Sequence, residues 1–368
     1  MVSIFVSIAS YRDDELIPTL YDLLKNQSDI NNIRYIVCLQ DTKQQYNNIK
    51  TSFQNNSKIE IIFIPYKQAR GACYARQTIL DYYNNEDYFL QIDSHMRSCE
   101  LWDVCLLNTI NKLYPYKAII SCYPPSYIKN NDDYKKQKYS TLGYYTSIGL
   151  KSSLHKYYKA GKLSNTTGEP VRSFHIAAGF HFAPSEWIKE IEYPGDLYFF
   201  GEEDSIRIQS YTNGWTVYTP EKTIFWHFYT NISKDTSKKF HWKDNPEYKK
   251  KQFNLRDIKI GKKRDLKMYI DEIYQYTNEY RKLRVDKKKF NVDTINKIVC
   301  ILYHFDNVIY KLEITDNESL DKESDIINLK YKMLQLYLAT RYKLIIYVYK
   351  NKISKKIKTE YCYDFLMK

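Results

Sequence analysis

Tyr88-Phe89-Leu90-Gln91-Ile92-Asp93-Ser94-His95 is an apolar run that stops abruptly on three polar residues. The run reads as a buried strand. Side chains alternate along a strand, so Asp93 and His95 project to one side and Ser94 to the other. A carboxylate and an imidazole leaving a strand's carboxyl end together make a natural pair of metal ligands, and open α/β sheets place their ligand crevice at that edge. The stretch therefore points to a divalent-metal and diphosphate site. The plainer alternative is a capping Asp and a surface His after a core strand.

Upstream, residues 4–8 form a short apolar strand, followed by the polar turn Ser10-Tyr11-Arg12-Asp13-Asp14 and a helix with Pro18 early in it, where a missing N–H costs little. Residues 33–39 and 59–64 read as the second and third strands. Gly71 opens a helix to about residue 83, and residues 88–92 are the fourth strand. Strands alternating with helices predict a mostly parallel, doubly wound α/β sheet. Downstream, the pattern predicts a helix over 101–113 and a strand over 118–122. A long polar excursion or lid follows over 130–170, then a strand over 174–183. A helix over 201–211 ends near Gly214, and strands cover 216–218 and 224–229. Residues 246–289 read as a basic helical connector after a first domain over 1–245. Residues 290–368 read as a small C-terminal α+β appendage, with strands over 295–303, 308–314 and 343–349 and a helix near 325–338.

The 368 residues suffice for two domains, and 43% hydrophobic with 27% charged residues is ordinary for a globular chain. The net charge of +13 accompanies abundant Lys, Asn, Ile and 38 Tyr, so it is discounted as a sign of nucleic-acid binding, though it favours anionic ligands. Seven Cys without a CxxC pair indicate neither a zinc ribbon nor a disulfide scaffold. His95, Cys99 and Cys105 could suggest zinc, but the cysteines fall in what reads as an amphipathic helix. The first residues lack a basic segment and cleavage site, and no apolar run approaches a membrane span. A cytoplasmic setting is the expectation.

No Walker loop, GxGxxG, HExxH or GxSxG is present. Four other segments join the Asp-Ser-His turn. Ser7-Ile8-Ala9-Ser10-Tyr11-Arg12-Asp13 lies at the same sheet edge, placed to hold a base and ribose with Arg12 toward phosphate, or is simply a solvated turn. In Arg70-Gly71-Ala72-Cys73-Tyr74-Ala75-Arg76, Gly71 lets backbone approach closely at a helix start, where free N–H groups favour anions, and Arg70 and Arg76 add forked donors. Trp226-His227-Phe228-Tyr229 puts a His on an apolar strand; it is either a satisfied core residue or the third metal ligand. Mixed carboxylate and imidazole ligation suits Mn²⁺ better than Mg²⁺. In Phe199-Phe200-Gly201-Glu202-Glu203-Asp204, three acids at a helix start suit the dipole, or form a substrate rim in which one acid holds a sugar hydroxyl.

Five blocks occur in one order over residues 2–245: residues 5–13, residues 90–97 with Trp102-Asp103, Ala177-Ala178-Gly179-Phe180, Gly201-Glu202-Glu203, and Trp226-His227-Phe228-Tyr229. Together they resemble the polypeptide α-N-acetylglucosaminyltransferases, typified by a cytoplasmic enzyme that glycosylates hydroxyproline, and through them the polypeptide GalNAc-transferases. The resemblance implies a GT-A fold, a UDP-sugar donor, Mn²⁺ or another divalent cation, a protein or peptide acceptor, and retention at the anomeric carbon. By position it implies Asp93, His95 and His227 as metal ligands. Ser7, Arg12, Arg70, Arg76, Asp93, Ser94 and Gly179 fall toward the nucleotide-sugar, and Glu202 and Glu203 toward the sugar and acceptor. Residues 123–172 and those past 290 have no counterpart, so acceptor choice is expected there. Two other readings stay open: a metal-dependent phosphoesterase acting on nucleic acid, and a catalytically silent sugar- or protein-binding module.

Overall fold

The computed structural model describes residues 2–130, 133–136, 140–145, 158–163, 169–199, 201–229, 239–244, 258–266, 268–269, 297–304, 307–315, 343–350 and 353–357. The chain divides into two compact units, Met1–Tyr274 and Gln275–Lys368.

The first unit begins β1 (Ser3–Tyr11), α1 (Leu16–Asn26), β2 (Asn32–Asp41), α2 (Lys43–Ser52), β3 (Ile59–Pro65), α3 (Ala72–Leu80), β4 (Tyr88–Asp93). A three-residue strand β5 (Met96–Ser98) and α4 (Trp102–Asn111) precede β6 (Ala118–Ser121). Later come β11 (Val171–Ser173), β12 (Phe180–Pro184), α5 (Glu186–Glu190), α6 (Glu202–Thr212), β13 (Thr216–Thr219) and β14 (Phe225–His227). Eight of these strands form one sheet in the order β11-β13-β6-β12-β4-β1-β2-β3. The β1–β2, β2–β3, β1–β4 and β6–β13 pairs are parallel, while β12 runs antiparallel between β4 and β6. The chain moves one way from β1 to β2 and the other way to β4, so a topological switch point lies at the carboxyl ends of β1 and β4. There Ala9 is in register with Asp93.

The alternation of β1 separates two cores. Ile4, Val6 and Ile8 face one side with Leu16, Leu20 and Leu23 of α1 and Trp102, Leu106 and Ile110 of α4. Phe5 faces the other with Ala75 and Ile79 of α3, Trp187 of α5 and Ile206 of α6. Helices thus cover both faces of the sheet, as the alternating pattern requires.

The structure adds to the sequence pattern at two places and corrects it at one. The polar helix α2 was not foreseen, because Ile49 is its one buried residue and it carries no apolar stripe. Residues 174–183 are not one strand: β12 starts only at Phe180, and a turn at Ala178 and Gly179 precedes it. The described parts of the expected excursion are antiparallel hairpins, β7 (Tyr127–Asn130) with β8 (Asp133–Lys136) and β9 (Ser140–Tyr145) with β10 (Tyr158–Leu163). The first hairpin is pinned by Glu15, which accepts from the Tyr127 hydroxyl at 2.7 Å and from Arg97 at 2.5 Å. In the second unit, β15 (Lys297–His304), β16 (Asn307–Thr315), β17 (Lys343–Lys350) and β18 (Ile353–Ile357) form an antiparallel sheet in the order β16-β15-β17-β18. The helix expected near 325–338, and most of the basic connector, lie outside the described residues.

Asp103, in the first turn of α4 and fully buried, ties α4 to the loop after α1. It accepts from the Ser28 N–H at 2.9 Å, from the Ser28 hydroxyl, and from Asn31 Nδ2 at 2.7 Å. Removing a buried acceptor strands its donors away from water. Asp103→Ala is expected to destabilise the fold by about 3 kcal/mol, read as a lowered urea midpoint with unchanged slope.

Candidate metal and substrate site

β4 ends on Asp93, the chain turns through Ser94 and His95, and β5 pairs antiparallel with β14, setting Met96 opposite His227. This short ribbon brings together residues more than 130 positions apart. His227 Nε2 lies 3.0 Å from His95 Nε2 and 3.1 Å from Asp93 Oδ2, and His95 Nε2 lies 3.9 Å from the same oxygen. A point equidistant from the three atoms is about 2 Å from each, the length of a bond from a first-row divalent ion to an imidazole nitrogen or carboxylate oxygen. Among the described residues this is the one cluster of His, Cys, Asp and Glu with such convergence.

The tautomer of His95 follows from its other nitrogen. Nδ1 is 2.6 Å from Asp13 Oδ2, which also accepts from the Ser94 hydroxyl at 2.7 Å. Burial would push the Asp13 carboxyl up, but the charge and hydrogen bond of His95, with Ser94 and the Glu15 N–H, hold it well below the usual carboxylate range. An anionic Asp13 keeps the proton on Nδ1 and turns the Nε2 lone pair toward Asp93 and His227, the arrangement that ligating imidazoles adopt. A proton on His227 Nε2 can then bridge the three atoms, and a cation can take its place.

Asp93 is held from behind. Arg76 in α3 donates to Asp93 Oδ1 at 2.6 Å and to Glu202 Oε2 at 2.6 Å, and Tyr193 donates to Glu202 Oε1 at 2.5 Å. Burial works to raise the Asp93 carboxyl, yet His227, Arg76 and His95 hold it well below its ordinary value. Gly179 is required by contact: a Cβ there would lie 2.6 Å from Asp93 Oδ2. Gly71, with φ of +97°, caps α3 where a Cβ would meet the Tyr198 carbonyl oxygen at 2.2 Å.

These groups line a cavity of about 460 Å³, together with Ala9, Tyr11, Asp13, Ser94, Glu203 and Arg207. Tyr123, His175, Phe199, Tyr229, Phe240 and His241 complete an aromatic wall. The structure brings Arg76, Asp93, Ser94, His95, Gly179, Glu202, Glu203 and His227 to this one cavity. Ser7, Arg12 and Arg70 are not part of its lining. Ser7 is buried within β1, Arg12 pairs with Asp244 at 2.8 Å, and Arg70 is exposed and lies over the Tyr74 ring. Glu202 is engaged by Arg76 and Tyr193, whereas Glu203 is held at the wall by the Tyr123 hydroxyl at 2.7 Å and the Ala178 N–H at 3.0 Å, with His175 Nε2 3.4 Å away. Burial raises the Glu203 carboxyl, but these neighbours, His175 foremost, bring it below the ordinary range, so it is an anionic hydrogen-bond acceptor and a poor base.

Sequence reasoning gave no role to Asp13, Tyr123, His175 or His241. The turn after β1 carried a signal for Asp13, an acid at the same sheet edge as the Asp-Ser-His turn. The other three depend on long-range packing.

The switch-point topology and the Asp-x-His turn at it define a GT-A fold. The sequence matches the family described as Glycosyltransferase (GlcNAc) over residues 3–51 and 41–290, and the chain belongs to that family of enzymes. No curated protein matches the sequence. Among solved structures it is similar to GalNAc-T7 with UDP, GalNAc and Mn²⁺, at 15% identity and a TM-score of 0.52, over 62% of this chain and 43% of that one. The chain thus spans less than half the length of that relative. It also aligns with residues 1–349 of TarS of S. aureus in complex with UDP-GlcNAc, at 12% identity and a TM-score of 0.40, over 62% of this chain and 59% of that one.

Asp13 tests the site. Asp13→Asn is expected to weaken Mn²⁺ affinity about tenfold or more, with little change in melting temperature, as measured by electron paramagnetic resonance titration of free Mn²⁺. Unchanged affinity would mean that the Asp13–His95 pair does not orient a ligand.

Proposed function

We propose that the chain transfers a sugar, GlcNAc foremost, from a UDP-sugar to a hydroxyl of a protein acceptor, hydroxyproline among the candidates. The observation that carries the reading is the convergence of Asp93, His95 and His227 on one point at the switch of a GT-A sheet. The family description supports GlcNAc, and the GalNAc-T7 complex supports a uridine diphosphate and Mn²⁺ by analogy. We assign the activity to residues 1–245, with 246–289 as a connector and 290–368 as an appendage, in a cytoplasmic protein. No helix among the described residues is long and apolar enough to cross a membrane.

Asp93, His95 and His227 would hold Mn²⁺, leaving coordination positions for diphosphate oxygens. Bound there, the ion would neutralise the charge that develops on the departing nucleotide diphosphate. The remaining work falls to the chain itself. Asp13 keeps the His95 proton on Nδ1. Arg76 fixes the Asp93 carboxylate and compensates the buried Glu202. Gly179 lets the backbone pass against Asp93, and its neighbour Ala178 donates to Glu203, so the metal carboxylate and Glu203 flank the same two peptide units. Glu203 is therefore placed to accept from a hydroxyl of a sugar seated over them. Phe199 and Tyr229 offer aromatic faces to the ring. Retention of configuration needs no enzyme nucleophile, which agrees with Glu202 and Glu203 both being engaged by neighbouring donors.

The test is a panel of UDP-GlcNAc, UDP-GalNAc and UDP-glucose with Mn²⁺, scored for sugar hydrolysis and for transfer to hydroxyproline-containing peptides. UDP-GlcNAc turnover is expected to exceed the other two and to stop with chelator. Asp93→Asn and His95→Ala should each lower it about 100-fold or more. Equal turnover by either variant would remove that residue from the ligand set, and oligonucleotide cleavage in place of sugar turnover would overturn the assignment.

A further inference from the structure

Away from the cavity, two thiols face each other. Cys99 follows β5 directly, its N–H donating to the Ile224 carbonyl oxygen at 2.8 Å, and it is partly exposed. Cys105 lies in the first turns of α4 and is 8% exposed. Their Sγ atoms are 3.8 Å apart. The expectation that both cysteines share a helix is corrected here, because Cys99 sits outside α4 and is free of its geometry. Two cations flank the pair. Lys222 lies close enough to act on Cys105, and Lys136, whose Nζ donates to the Ser98 carbonyl oxygen at 2.6 Å, lies close enough to act on Cys99.

Three buried cysteines of the first unit differ in kind. Cys38, Cys73 and Cys122 are free thiols, and burial alone pushes the Cys38 and Cys122 thiols up to about 12. Cys105 moves the opposite way. The Cys99 thiol donating to it and the Lys222 ammonium bring it below the ordinary thiol range, although burial opposes them. Two sulfurs in contact with an ammonium near each form the arrangement of an attacking and a resolving cysteine.

We propose that Cys99 and Cys105 are a hydroperoxide-sensitive dithiol that closes to a disulfide joining the end of β5 to α4. In the first step the Cys105 sulfur attacks one oxygen of a hydroperoxide and the O–O bond breaks. The other oxygen leaves as an alcohol, or as water from hydrogen peroxide, with the thiol's proton, and Cys105 becomes a sulfenic acid. In the second step the Cys99 sulfur attacks the Cys105 sulfur, the S–O bond breaks, and hydroxide leaves as water with the Cys99 proton. The two thiols lose two electrons in all and the peroxide gains them. Closure needs the sulfurs to approach from 3.8 Å to about 2.05 Å, within reach of a rotation of Cys99, which is not held in a helix or strand. β5 is hydrogen-bonded to β14, so the bridge would tether to α4 the ribbon that carries His227.

The experiment treats the reduced full-length chain with stoichiometric hydrogen peroxide, alkylates the remaining thiols, and maps peptides without reduction. The expected product is a Cys99–Cys105 linkage, with Cys38, Cys73 and Cys122 alkylated. In Cys99→Ser, dimedone should label Cys105. In Cys105→Ser, labelling of Cys99 should be slower by about tenfold or more, since Cys99 lacks the thiolate character. If Cys99 and Cys105 of the unaltered chain stay as open to alkylation as before treatment, or if Cys99 in Cys105→Ser takes dimedone as fast as Cys105 in Cys99→Ser, the proposal is wrong. The mapping of the unaltered chain stands whether or not either variant folds.

Discussion

A line of buried and half-buried charge runs through the first unit and sets what the surrounding elements must do. It passes from Asp13 to His95, through His227 to Asp93, and on through Arg76 to Glu202 and Tyr193. The carboxyls of Asp13 and Asp93 are held below their ordinary range against the pull of burial, which is sustainable only because a neighbour's proton or charge meets them. The members come from the loop after β1, from α3, from the end of β4 and the turn after it, from the segment between α5 and α6, from α6 and from β14. Those elements must therefore meet at one place, the switch point of the sheet. Within this line three ligand atoms crowd around one point, and a divalent cation there would satisfy all three.

How far the chain could be read in advance depended on the range of the interaction. Asp93 and His95 were legible because a strand's period of two puts alternate residues on one side. His227 was legible only by type and setting, since the pairing that delivers it joins two three-residue strands with no periodic signal. Arg76 was expected to face the nucleotide; it does line the cavity, but its guanidinium is spent on Asp93 and Glu202. Arg12 was expected at phosphate and instead meets Asp244, a partner 232 residues away that no local pattern could announce. The run Phe174-His175-Ile176-Ala177-Ala178-Gly179-Phe180 looked like strand because apolar runs do, yet its middle bends to carry the Ala178 N–H to Glu203 and Gly179 past Asp93.

The two acids at the start of α6 show how one local signal divides into two roles. Both follow Gly201, whose φ of +93° starts the helix, and both were read together as a rim. Glu202 turns inward to Arg76 and Tyr193, where it positions the residue that steadies Asp93. Glu203 turns instead to Tyr123 and His175 at the cavity wall. Adjacent residues in the first turn of a helix point in directions about 100° apart, so one buried partner and one cavity position can be served by neighbours.

Whether Asp93, His95 and His227 hold one divalent ion, as proposed, can be read from an anomalous difference map of crystals grown with Mn²⁺ and UDP. A single strong peak is expected about 2.0–2.2 Å from Asp93 Oδ2, His95 Nε2 and His227 Nε2, with diphosphate oxygens completing the coordination. A peak on other side chains, or none between these three at saturating Mn²⁺, would contradict it.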